Sequence, residues 1–200
     1  MSRVQRLTVV LVLNLALVGG LVAVGIGAHS LGVLAEGGDY ILDAAGAGLA
    51  LLAIRLSARG ARSGGLGPTG TAALINAGWL LALELIVAGV SIDRLATRTP
   101  SVHGLPVLVA SGIAALVMMA GVLILRGDDD GEERDLSVAA VLLDTAADAA
   151  AAAGVAAAGA VILVAQGWYW LDPAVALTIA VLVAYHAVAL IRTILRRRNP

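Results

Sequence analysis

Six long apolar stretches, separated by short polar breaks, run the length of the 200-residue chain. A helix needs about 20 apolar residues to cross about 30 Å of hydrocarbon, and the stretches at roughly 7–28, 32–57, 70–91, 105–126, 137–165 and 173–195 all meet that length. The breaks are His29-Ser30, RGARSGGLGPTG, TRTPSVHGLP, GDDDGEERD and GWYWLDP, rich in turn-forming and charged residues. The pattern predicts an all-α polytopic membrane protein, one transmembrane domain over 1–200 built as a six-helix bundle. The first stretch follows Arg3 and Arg6 and has no small-residue cleavage site closing a short apolar core, so it reads as a retained helix.

Two of the predicted helices are interrupted by pairs of aspartates. Asp39 and Asp43 lie in the second and Asp144 and Asp148 in the fifth, each pair four residues apart. That spacing puts both members on one helix face, about 6 Å apart along the axis. Glu36 extends the first stripe by a further turn. A carboxylate at bilayer depth costs about 2.5–3.5 kcal/mol on insertion scales. If helices two and five face each other, four carboxylates converge near the middle of the membrane, where mutual repulsion and desolvation require protons or a metal. A divalent cation held by carboxylate oxygens, exchanged for protons, satisfies that requirement. The plainer alternative is interhelical hydrogen-bonding glue, which does not require the same spacing twice.

Glu84, in the third span, reads either as a proton relay or as a side chain facing a polar seam. Asn14 and Asn76 read as structural hydrogen-bonders. His186, with no acidic neighbour in sequence, reads as packed or interfacial, and His29 and His103 as solvated loop residues.

Composition supports the membrane reading. Hydrophobic residues make up 60% of the chain, charged residues 14%, and mean hydropathy is +0.96, which excludes an ordinary soluble domain. No cysteine is present, so thiolate ligands and disulfides are unavailable and oxygen ligands become the default. Nothing points to nucleic acid. All 13 basic residues are arginine. Alternating the loops puts eleven on one side and only Arg94 and Arg98 on the other, which predicts both termini in the cytoplasm. Trp168, Tyr169 and Trp170 then lie at the outer interface. The acidic run at 128–135 either focuses cations at the cytoplasmic face or is simply solvated, and it lacks calcium-loop periodicity. Small residues at helix-packing spacing, such as Gly46 with Ala50 and Ala150 with Gly154, predict close bundling.

The segments SLGVLAEGGDYILDAAGAGLALLAI and VLLDTAADAAAAAGVAAAGAVILVAQGWYWLDPAVALTIAVLV resemble the cation diffusion facilitator family. In that family the second and fifth helices each carry His or Asp, three residues, then Asp, and these side chains bind the transported metal. The resemblance implies a metal site of Asp39, Asp43, Asp144 and Asp148, with Glu36 and Glu84 as proton relay or supporting residues. It further implies export of a divalent metal against protons by alternating access, from the cytoplasm of a prokaryotic cell across its plasma membrane, usually as a homodimer. No enzyme activity and no resident cofactor are implied. Zinc, manganese, iron, cobalt and cadmium are not distinguished.

The chain departs from the family pattern in three ways. Asp39 and Asp144 stand where histidine is usual, giving an all-oxygen site that favours harder ions, although zinc also accepts carboxylates. The chain stops just after the sixth helix, so no soluble C-terminal domain is expected and a dimer would be held through the transmembrane helices. The link SARGARSGGLGPTG has no Tyr/His-containing stretch, so a second cytoplasmic metal site is not expected. Two rivals stand beside this reading. One is a transport-inactive relative serving as a membrane binding or assembly partner. The other is a metal-dependent CDP-alcohol phosphotransferase, whose Asp-Gly and Ala-Arg do not stand together on the turns preceding Asp144.

Overall fold

The computed structural model describes residues 3–58, 67–127 and 136–198, with side chains over 16–46, 48–49, 70–123 and 145–196. The side chains of Asn14, Ala50 and Asp144, the arginine-bearing link at 59–66 and the acidic run at 128–135 lie outside the described residues. Six helices follow one another: α1 (Arg3–Ala28), α2 (Leu31–Ala58), α3 (Gly67–Ala96), α4 (Gly104–Gly127), α5 (Leu136–Ala165) and α6 (Leu171–Arg198). No strand occurs among the described residues. In the described parts, α3, α4, α5 and α6 are each long and apolar enough to cross a membrane. The first half of α2 carries Glu36, Asp39 and Asp43.

Several boundaries differ from those the hydropathy pattern predicts: α1 and α3 begin a few residues earlier, at Arg3 and Gly67, α6 ends later, at Arg198, and two further shifts have a visible cause. The third helix continues from the expected end at 91 to Ala96. Its last carbonyls find partners beyond the apolar run: Thr97 donates to Asp93 O through both N–H (2.9 Å) and Oγ1 (2.7 Å), and Thr99 Oγ1 donates to Arg94 O (3.1 Å). The sixth begins at Leu171 rather than 173, because Pro173 sits in the first turn, where its missing N–H breaks no bond.

The exterior is largely apolar and three acids are inside, the reverse of a soluble protein. Trp79, Leu116 and Val164 are 65%, 72% and 84% exposed, as lipid-facing side chains should be. Glu36, Glu84 and Asp172 are buried together with Val33, Val107, Ala114, Ala152 and Ala176. Helix α4 packs most extensively on α5, and α3 on α6, while α2 touches every other helix. The α4–α5 crossing depends on two glycines. A Cβ on Gly159 would stand 2.6 Å from Leu108 N, and one on Gly104 would stand 2.6 Å from Gly159 O, so the two backbones are in direct contact. Gly46 gives α2 a similarly close seat against the Asn76 side chain of α3.

The connections α1–α2, α3–α4 and α5–α6 gather at one end. The first is a Schellman turn. His29, at φ 58°, occupies the left-handed position; its N–H bonds Ile26 O, and Ser30 N–H bonds Gly25 O. His103 N–H donates to Ala28 O at 3.2 Å, tying the second connection to the first. Asp172 ties in the third. Its carboxylate accepts from Ser30 Oγ (2.5 Å), Leu31 N (2.7 Å) and Gly32 N (3.2 Å), while Ser30 Oγ accepts from Val33 N (3.2 Å). The first three N–H groups of α2, which have no partner within the helix, are therefore all satisfied. The positive end of the α2 dipole stabilises the buried carboxylate, and Arg94 adds a longer contact, with Nη1 3.8 Å from Asp172 Oδ2 and 3.0 Å from His29 O.

Replacing Asp172 with Ala leaves these donors buried without acceptors and should cost about 2–4 kcal/mol, since bonds to a charged group contribute about 1.5–3 kcal/mol. Thermal unfolding in detergent should show a clear drop, and an unchanged midpoint would rule this tie out as a main support. By the same measurement Gly159→Ala should cost about 1–3 kcal/mol by overpacking. Gly112→Ala, where a new Cβ meets nothing within 4 Å, should be neutral or mildly stabilising.

Candidate metal centre

Helix α2 presents Glu36, Asp39, Tyr40 and Asp43 at i, i+3, i+4 and i+7, one continuous face. The first three meet α5. With Asp148 they line a cavity of about 20 Å³, walled otherwise by small and aliphatic side chains including Gly32, Ala35, Ala151 and Val155. That volume is about one water or one small ion. Small residues on both helices make the approach possible: a Cβ on Gly32 would stand 3.1 Å from Val155 Cγ1.

The cluster is rich in acceptors and poor in donors. Glu36 Oε2 accepts from Ser111 Oγ of α4 at 2.6 Å, but Glu36 Oε1 has no partner among the described residues. Glu84, only 1% exposed, reaches in from α3 and adjoins the carboxyl of Asp39. Neither Glu84 oxygen, nor Asp39 Oδ1, nor the Tyr40 hydroxyl has a hydrogen-bond partner among the described residues. Buried polar groups in folded proteins are almost always paired. Several carboxyl oxygens facing one another in a low-dielectric interior call for positive charge from outside the chain, as a cation or as protons.

The structure brings together Asp39 and Asp148 of the expected ligands, and adds Glu36 and Glu84 to them. Asp43, one turn further along α2, is exposed. Asp144 lies one turn before Asp148 on α5, with its side chain outside the described residues. Among the described residues no three acidic or histidine side chains stand close enough to chelate one ion. The carboxylates thus converge on a common space without closing around it.

Two further openings reach this cluster. A groove of about 450 Å³ along α5 and α6 is lined by Asp39, Asp148, Thr178 and His186, among apolar residues. Another, of about 540 Å³ between α3 and α6, runs from Glu84 to Arg192, Thr193 and Arg196. Sequence reasoning had not singled out Ser111, Tyr40 or Asp172. The available signals were slight: a serine beside glycine within an apolar span, a tyrosine adjoining an intramembrane aspartate, and an Asp-Pro opening a helix.

A family model described as the cation efflux transmembrane domain matches residues 7–197, a stretch that covers the acidic positions of both α2 and α5.

Glu84→Gln should raise the melting temperature of metal-free protein, because the amide supplies a donor where two carboxyls now adjoin. Ser111→Ala should lower it by the equivalent of about 1–3 kcal/mol, by stranding Glu36 Oε2. Differential scanning fluorimetry in chelator-treated detergent solution checks both. The donor-poor description fails if Glu84→Gln melts below wild type.

Proposed function

The chain belongs to the cation efflux, or cation diffusion facilitator, family of multi-pass membrane transporters, which are not enzymes, and from that premise we propose that it exports a divalent metal cation in exchange for protons. One observation carries the reading: Glu36, Asp39 and Tyr40 of α2 and Asp148 of α5 line a single ion-sized cavity, in which Glu36 Oε1 and Asp39 Oδ1 lack donors among the described residues. Asp39, Asp43, Asp144 and Asp148 are the proposed ligands. A divalent cation neutralises them in one state, and protons replace it in the other. Asp43 and Asp144 complete the coordination when α2 and α5 shift relative to each other, which is the alternating-access step.

Glu84 suits a proton relay, because it adjoins Asp39 on one side and lines the groove towards Arg192 and Arg196 on the other. Oxygen ligands admit manganese and iron readily and zinc, cobalt and cadmium less selectively. Both termini face the cytoplasm in this scheme, following the arginine distribution. A second copy of the chain pairs with the first through its transmembrane helices.

Protein reconstituted in vesicles with an internal pH-sensitive dye should show proton flux on addition of Mn²⁺, Fe²⁺, Co²⁺, Zn²⁺ or Cd²⁺, and Asp39→Ala or Asp148→Ala should reduce it to the level of empty vesicles. Absence of metal-driven flux for all five ions would defeat the proposal. Metal binding should weaken as pH falls, because the ligands must be deprotonated to coordinate. Each proton displaced steepens the dependence by up to about tenfold per pH unit, and calorimetric titration between pH 5.5 and 7.5 measures it. A binding constant independent of pH would remove the protons from the exchange.

A further inference from the structure

His186 differs from the other two histidines. His29 and His103 face each other in the connections at one end of the bundle, with ring centroids 6.2 Å apart. His186 lies within the membrane-spanning part of α6 and is exposed, so it fills no core space. An ionisable side chain placed there is costly unless it is used.

Three observations connect it to the acids. First, His186, Asp39 and Asp148 line the same groove of about 450 Å³. Second, the depths are ordered along one path. A Cβ on Gly32 would stand 3.1 Å from Val155 Cγ1 and 3.3 Å from Asp172 Oδ1, so Val155 of α5 and Asp172 of α6 are level with the start of α2. From that level Asp148 lies seven residues back along α5 and His186 fourteen on along α6, or about 10 and 21 Å at the helical rise per residue. On the parallel helix α2, tied to α6 where Asp172 meets Leu31, Asp39 lies at about 12 Å and Asp43 at about 18 Å. The imidazole is therefore level with Asp43 and about two helical turns beyond Asp39 and Asp148, further along the same groove.

Third, the ring is oriented. His186 Nδ1 lies 2.8 Å from Leu182 O. A carbonyl only accepts, so Nδ1 of the neutral ring carries the hydrogen and Nε2 keeps its lone pair. Tyr185 packs edge-on against the ring at 5.7 Å between centroids. A backbone carbonyl holding one ring nitrogen is how metal-binding imidazoles are commonly oriented.

The geometry points to His186 Nε2 as a nitrogen ligand for the transported cation, in the groove that leads to Asp39 and Asp148. This inference rests on the metal-transport reading and adds to it. It restores an imidazole to a path that is otherwise all oxygen, and from a helix where the pattern of paired aspartates does not place a ligand. Because no three such side chains form a closed chelate among the described residues, His186 holds the ion along the groove before or after the aspartates do. Imidazole favours zinc, cobalt and iron over manganese, so the residue contributes selectivity.

The test uses tag-free full-length protein. In vesicles, His186→Ala and His186→Gln should each raise the ratio of the KM for Zn²⁺ to that for Mn²⁺ about tenfold. Pulsed EPR with one equivalent of Cu²⁺, on a background of His29→Asn and His103→Gln, should show ¹⁴N modulation from a remote ring nitrogen that disappears when His186→Gln is added. An unchanged KM ratio in both variants, or no ¹⁴N modulation before His186 is replaced, would overturn the inference while leaving metal export intact. Failure of the wild-type protein to transport any of the metals would instead defeat the transport reading on which the inference rests.

Discussion

The carboxylate of Asp172 holds the rest of the arrangement in place. It sits at the start of α6, almost wholly buried, and accepts hydrogen bonds from the first N–H groups of α2 and from Ser30. An anion at a helix N-terminus is stabilised by the dipole and by donors that would otherwise be unpaired, so each group removes the other's desolvation cost. The result is a fixed register between two helices that are distant in sequence. Once Leu31 is level with Asp172, the depth of every side chain on α2 follows from the helical rise, and Glu36, Asp39 and Asp43 must lie part-way into the bundle. Gly32, packed between Val155 and Asp172, brings α5 against the same place, and Asp148 follows.

This tie carries added importance because the interior below it is not self-sufficient. Carboxyl oxygens of Glu36, Asp39 and Glu84 lie buried without donors, a configuration that destabilises the bundle by itself. Close packing elsewhere offsets it. The backbone contact of Gly104 with Gly159, the seating of Gly46 on Asn76 and the laced connections at the Asp172 end all hold the helices where the acids would push them apart. A cluster of acids short of protein donors, supported by a well-satisfied framework, suits a transporter that must both take up a cation and release it.

The six-helix architecture and the acidic stripe of α2 were legible because both depend on local periodicity. Apolar runs of bilayer length announce helices, and acids at i and i+4 share a face whatever the surroundings. The end of α3 was less legible, since threonine side chains at 97 and 99 extend its bonding past the apolar run. Glu84 was ambiguous for a different reason: its role depends on which neighbour it meets, and Asp39 is 45 residues away along the chain. His186 appeared unconnected for the same reason. No acid stands near it in sequence, yet α5 and α2 bring two acids to its groove.

By itself the sequence determined the solvent, the helices and which faces carry charge, because hydropathy and the 3.6-residue repeat act within a segment. It also determined the family, through two aspartate pairs and the residues around them. Only the tertiary structure decided which acids meet. Glu84 adjoins Asp39, Ser111 donates to Glu36, Asp172 caps a helix other than its own, and His186 shares a groove with Asp148. Each of these is a contact between helices, set by glycine-mediated approach and by register, and neither quantity exists until the helices pack.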